Sequence, residues 1–157
     1  MAVSRTEQIL NSAEQQCRKL GVRMTPQRKQ VMALILEQKN PQSAYQLLDQ
    51  FKARYQSNAQ PPTIYRALDF LVQQGLAHRL SSTNQYLACD HITCQHGHRG
   101  TVFLLCDQCG GVQETPMAGA AVDELQHTLD EVGFVIQQEP LLEVHGRCAD
   151  CALLAGS

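Results

Sequence analysis

Two matched thiol pairs, Cys106-x-x-Cys109 and Cys148-x-x-Cys151, sit in the last third of this 157-residue chain and limit what that third can fold into. A two-residue gap lets both sulfurs of a pair turn onto one cation, so two pairs supply the four tetrahedral thiolates of a closed structural zinc site. Two disulfides would need an oxidising compartment. The opening MAVSRTEQIL has no charged-then-apolar leader pattern, and the seven cysteines are an odd number, so the spacing predicts a metal.

The chain is long enough to bury a core as one domain or two small ones, and no apolar run approaches the roughly 20 residues that span a bilayer. A cytoplasmic protein with no membrane segment is expected. The net charge of −2 conceals an asymmetry. Residues 1–88 carry eleven Lys/Arg against five Asp/Glu, while residues 89–157 carry two against ten. A basic half can meet phosphate while an acidic half stays off it and gathers cations; the plain alternative is a solvated surface on both.

Helical spacing of Ile9, Ala13, Cys17 and Leu20 before Gly21 predicts a first helix with Cys17 in the core. Thr25-Pro26 is a cap followed by a first-turn proline, opening a helix with a Val31, Leu34, Ile35 stripe. Ser43-x-x-Gln46 is a capping-box pattern for a third helix burying Leu47, Leu48 and Phe51. A fourth helix over 63–74 buries Ile64, Ala67, Leu68 and Leu71 and leaves Tyr65, Arg66, Asp69 and Gln73 outside. Residues 76–80 and 85–88, joined by Ser81-Ser82-Thr83-Asn84, read as a hairpin.

Helices followed by such a hairpin predict a winged helix-turn-helix. Its fourth helix would enter the major groove with Tyr65, Arg66 and Thr63, while Arg23, Arg28, Lys29 and Tyr45 are candidates for phosphate contacts. A merely solvent-facing Tyr65 and Arg66 is the alternative.

In the acidic half, 101–106 and 112–114 read as a hairpin carrying the first thiol pair. Val122, Leu125, Leu129 and Val132 read as a helical stripe, and 134–136 and 141–145 as strands. Such a small α+β unit needs a metal staple or a second subunit, and dimerisation through it is expected. Other ligand-type residues crowd the junction: His78 in the wing, Cys89, His91, Cys94, His96 and His98 between the halves, and Glu114 on the acidic hairpin. A mixed nitrogen, sulfur and oxygen site suits zinc and not Mg²⁺ or Mn²⁺. His127 reads as solvated, and His145 as core or as a partner just outside the thiol ligands. The expected organisation is residues 1–88 as a winged-helix DNA-binding domain, 89–100 as hinge and metal-binding linker, and 101–157 as dimerisation domain.

An enzyme is not expected. Cys106 follows a strand and precedes Gly110-Gly111, unlike the electropositive helix start of a redox thiol, and no His-x-Glu or His-Glu-x-x-His pattern occurs.

The segments Arg23-Met24-Thr25-Pro26-Gln27-Arg28, Ser43-Ala44-Tyr45, Pro61-Pro62-Thr63-Ile64-Tyr65-Arg66-Ala67-Leu68-Asp69-Phe70-Leu71, Ser82-Thr83-Asn84, Cys106-Asp107-x-Cys109-Gly110 and His145-Gly146-x-Cys148-x-x-Cys151 follow one another along nearly the whole chain. In that order they resemble the ferric uptake regulator family, and within it the zinc uptake regulator branch. The resemblance implies a homodimeric, metal-dependent repressor that binds a palindromic double-stranded DNA operator, acts on no small-molecule substrate and carries about two zinc ions per subunit. It implies structural zinc at Cys106, Cys109, Cys148 and Cys151. Regulatory zinc would lie at His78, Cys89, His98 and Glu114, with His96 as the alternative to His98 because the 89–106 stretch does not align without a gap. Iron-sensing relatives have a His-rich box before the first CxxC and no hinge thiolate; Phe103-Leu104-Leu105 fills that stretch here. A sister regulator answering iron, manganese or peroxide, or a zinc-stapled module that never touches DNA, is the rival expectation.

Overall fold

The computed structural model describes residues 4–89, 92, 99–137 and 140–156, so His91, Cys94, His96 and His98 lie outside the described residues. The chain divides into two compact units, Met1–Cys94 and Gln95–Ser157, and its class is mixed α and β, as expected.

The first unit contains α1 (Arg5–Lys19), α2 (Pro26–Glu37), β1 (Gln42–Ser43), α3 (Ala44–Arg54), α4 (Pro61–Gln73), β2 (Ala77–Leu80) and β3 (Gln85–Ala88). Side-chain caps start three of its helices. Ser4 and Glu7 form a reciprocal box at α1, Thr25 Oγ1 accepts from the Arg28 N–H ahead of Pro26 at α2, and Ser43 and Gln46 close the box at α3. Each satisfies backbone donors that the first turn leaves without helical partners.

Three expectations need correction here. Leu20 lies beyond the end of α1, where Gly21 at φ 71° turns the chain, so it is 60% exposed and Leu10 joins Ala13 and Cys17 in the core. Helix α2 has no single stripe: residues 31–35 are all buried, because α1, α3, α4 and β3 surround it. Helix α4 starts two residues early. Pro61 and Pro62 occupy its first turn, where a missing N–H costs nothing, so Thr63 lies inside the helix and not at its edge.

The strands form an antiparallel sheet in the order β1-β3-β2, with His78 opposite Leu87 and Arg79 opposite Tyr86. The two-residue β1 is too short to leave a period-2 pattern and forms because the Ser43 cap lies against Gln85. Phe51, Leu47, Ile64, Leu68, Leu71 and Leu76 are fully buried in the core that α2 shares. α4 is anchored by Ile64, Ala67, Leu68, Phe70 and Leu71, with Arg66, Asp69 and Gln73 left outside.

The second unit contains β4 (Thr101–Cys106), β5 (Val112–Pro116), α5 (Gly119–Glu131), β6 (Leu141–Gly146) and α6 (Ala149–Ala155). β4 and β5 make the expected hairpin, and the chain crosses through α5 to lay β6 parallel to β4, giving the order β5-β4-β6. Its core is thin. Phe103, Leu105, Cys106, Val122 and Cys151 are its buried apolar residues among those described. Of the expected α5 stripe only Val122 is buried, and Val132, past the helix end, is 77% exposed. Residues 134–136 form no strand, leaving Phe134 and Val135 exposed, and α6 carried no periodic signal because it is only seven residues long. By register Val102, Leu104, Leu142 and Val144 share one sheet face, the last three of them exposed.

Phe51 sits at 0% exposure where α3 meets α4. Phe51→Ala is expected to destabilise the first unit by about 3–5 kcal/mol and Thr25→Ala by about 1 kcal/mol, read as midpoint shifts in urea unfolding followed by circular dichroism. Equal costs would mean that burial does not dominate this unit.

Candidate metal centre and nucleic-acid face

Cys106 ends β4 and Cys109 stands in the turn behind it. Cys148 is the residue capping α6, and Cys151 lies in that helix. The parallel β4–β6 pairing aligns Cys106 with Gly146, and the Asp107 N–H donates to the Gly146 carbonyl at 2.9 Å, so strand register itself brings the two thiol arms together. Gly110 supplies the φ of 71° that closes the first arm, and a Cβ on Gly111 would stand 3.3 Å from the Cys109 sulfur.

All four sulfurs lie within 4.8 Å of one another, and Cys109 and Cys148 are 3.9 Å apart. A tetrahedral zinc with Zn–S near 2.3 Å spaces its sulfurs about 3.8 Å apart, so the donor set fits that ion. The same separation is about twice a disulfide bond length, and all four are free thiols.

The thiols pull against one another electrostatically. The Cys148 N–H, donating to the Cys106 sulfur at 3.3 Å, and the N–H groups of Cys109 and Gln108 hold the Cys106 thiol down at about 6. Cys151 is pushed up to about 12 by its hydrogen bond with Cys148, by burial and by the neighbouring sulfurs. One thiolate is favoured and the next resisted, the pattern of an array that ionises fully only around a cation.

His145 is exposed and not core. Its Nδ1 lies 2.9 Å from Asp107 Oδ1, clasping the two thiol arms together from outside. The sequence offered a signal for this in the acid directly following Cys106. His127 is exposed beside Glu131, as expected.

Of the expected regulatory set, the wing hairpin brings together His78 on β2 and Cys89 just past β3. The Cys89 N–H donates to the Leu76 carbonyl at 3.1 Å, and the His78 and Cys89 ligand atoms lie within 4.8 Å of each other. Both are half-buried. Glu114 belongs to the second unit, half-buried on β5 opposite Phe103. His98 and its alternative His96 lie outside the described residues.

On α4 Arg66 is exposed, Thr63 is half-buried, and Tyr65, expected outside, is half-buried with its side chain packed against the core. Arg23 is exposed in the loop before α2, and Tyr45 is 65% exposed in the first turn of α3. Arg28 is half-buried, its guanidinium carbon 3.7 Å from the centre of the Phe70 ring. Among the described residues no helix is long and apolar enough to cross a membrane.

The family model described as "Ferric uptake regulator family" matches residues 19–142. The chain is 41% identical over 152 residues to the zinc uptake regulation protein of Escherichia coli (strain K12), covering 96% of this chain and 85% of that protein. Its structure is similar to a zinc uptake regulator complexed with zinc and DNA, with TM-score 0.87 and 36% identity, covering 99% of this chain and 100% of that one. It is also similar to the crystal structure of holo XcZur, with TM-score 0.79 and 38% identity, over 93% of this chain and 98% of the other. With the four-thiol cluster, the hairpin-borne His–Cys pair and these likenesses running along almost its whole length, the chain belongs to the ferric uptake regulator family.

Proposed function

We propose that this protein is a zinc-responsive transcriptional repressor that binds palindromic operators as a homodimer when zinc is abundant and so controls zinc uptake genes in the cytoplasm. The observation that carries the reading is the likeness, over 99% of the chain, to a zinc uptake regulator complexed with zinc and DNA. The donor chemistry agrees with it. A thiolate beside an imidazole, as Cys89 is beside His78, suits zinc and disfavours the hard, oxygen-seeking ions of manganese- or magnesium-type sites.

Each subunit holds about two zinc ions in this proposal. Cys106, Cys109, Cys148 and Cys151 hold a structural ion whose binding contributes directly to folding. His78, Cys89, Glu114 and His98, or His96 in its place, hold the regulatory ion. Residues 1–88 read DNA, with Tyr65, Arg66 and Thr63 of α4 toward the bases and Arg23 and Tyr45 toward phosphates. Residues 101–157 dimerise. The exposed sheet face of Leu104, Leu142 and Val144, with Phe134 and Val135 nearby in sequence, supports a second copy as its cover, since a core this thin gains stability from association.

Because the ligand set is drawn from both units, loading it restricts the arrangements the dimer samples and favours those whose two α4 helices match half-sites about one DNA turn apart. Moving the competent fraction from 1% to 99% takes roughly 5.5 kcal/mol of differential zinc affinity, within reach of a four-ligand site. Linkage requires DNA to tighten zinc binding by the same factor.

Cys89→Ser is expected to leave the dimer folded and, at a zinc concentration that just saturates the parent, to weaken zinc-dependent binding to a palindromic duplex, selected from a randomised pool, by up to about 100-fold, because the site no longer fills. Titration with buffered zinc, iron and manganese reads both the loss and the metal preference; an unchanged zinc response in the variant, or a parent that answers only iron, defeats the assignment. Cys106→Ser is expected to lose one zinc per subunit by metal analysis and to unfold the second unit, because structural zinc contributes on the order of 10 kcal/mol. A variant that keeps its dimer and its melting profile would show that this cluster is no staple.

A further inference from the structure

Arg28 occupies an electrostatically awkward place. It is the third residue of α2, whose first turn carries no acid, so its cation faces the positive end of the helix dipole. A cation kept there needs compensation, and two contacts supply it. The guanidinium lies over the Phe70 ring of α4 at 3.7 Å, and Nη1 donates to the Arg23 carbonyl at 2.6 Å. Phe70 is buried, and by helical spacing it stands one turn after Arg66 on neighbouring positions of α4.

From this geometry we infer that Arg28 is a positioning residue for DNA reading: its stacking on Phe70 fixes the roll of α4, and with it the aim of Arg66, while its charge is not used on a phosphate. The inference rests on the proposed role of α4 as the reading helix. A bidentate arginine–guanine contact tolerates only about 0.5 Å or 10–20° of misplacement, so a small rotation of α4 removes sequence discrimination before it removes attraction to the backbone. The planar guanidinium is required, since a lysine ammonium neither stacks flat on the ring nor keeps the forked geometry toward the carbonyl.

The test uses the zinc-loaded full chain with two probes, a palindromic duplex selected from a randomised pool and a scrambled duplex of the same composition. Arg28→Met and Arg28→Lys are each expected to weaken binding to the selected duplex by about 2- to 30-fold, the range for a cation–π pair of this exposure. Binding to the scrambled duplex should stay within about 2-fold, and the slope of log affinity against log salt should be unchanged. Phe70→Leu should reproduce the loss of discrimination, Phe70→Tyr should restore it, and Arg28→Met in the Phe70→Leu background should add little. A fall of about 0.9 in the salt slope with both duplexes weakened, and rescue by Arg28→Lys, would make Arg28 a phosphate contact and overturn the inference. Should Arg28→Met not fold, the Phe70→Leu and Phe70→Tyr pair decides by itself: equal discrimination in both overturns it. A parent protein that binds neither duplex better with zinc would instead defeat the DNA-reading role of α4.

Discussion

Four sulfurs held within 4.8 Å of one another form the constraint on which the second unit depends. Backbone N–H groups aimed at Cys106 draw its proton off, while the hydrogen bond with Cys148, burial and the neighbouring sulfurs keep the proton on Cys151. Such an array is unbalanced until a dication sits at its centre, and then each ionised sulfur becomes an attraction to the same point. The backbone prepares this. Parallel pairing of β4 with β6 sets the arms side by side, the Asp107 amide locks onto Gly146, and the Asp107–His145 contact closes them from outside. The crossover through α5 is thereby tied at its two ends, which a core of so few buried side chains would not do alone.

The two units solve the stability problem differently. The first wraps the buried middle of α2, residues 31–35, with three helices and a small sheet, and its caps and fully buried Phe51, Leu47 and Leu68 need no metal. The second exposes Leu104, Leu142 and Val144 on one sheet face and leans on sulfur chemistry. The charge difference follows the same division. The acidic unit carries the four-thiol cluster, where a surplus of negative charge favours a cation, while the basic unit carries α4.

What could be read from the sequence were features whose cause is local. Thr25-Pro26 and Ser43-x-x-Gln46 fix helix starts through a single hydroxyl or amide, and the thiol spacing fixes a knuckle, so a few residues carry the whole signal. What escaped was decided by distant partners. β1 exists because β3 passes beside it, and α6 is a single short stretch held by the thiol cluster. Leu20 is the local exception, placed outside its stripe by the turn at the adjacent Gly21. The run at 134–136 has strand composition, but the Phe134 N–H donates back to the Leu129 carbonyl at the end of α5 and the run pairs with no strand among the described residues. At the candidate regulatory site the hairpin explains only the His78–Cys89 pair; Glu114 and the histidine of the 89–100 stretch rested on resemblance, since nothing local ties them to that pair.

That partial legibility bears on how such a switch gains its sensitivity. A hairpin that holds His78 and Cys89 within 4.8 Å brings two donors together inside one unit, so the pair does not need the second unit in order to assemble. Donors common to all states contribute equally to zinc affinity in each and shift no population, however tightly they bind. Under the proposed ligand set the differential affinity therefore comes from Glu114 and the fourth ligand, the donors outside the hairpin. The wing pair raises the overall affinity and sets the zinc concentration at which the site fills, whereas the other two determine how strongly filling it is felt at α4. Under that set, losing a wing donor moves the threshold alone, whereas losing Glu114 or the fourth ligand lowers the gain and moves the threshold with it.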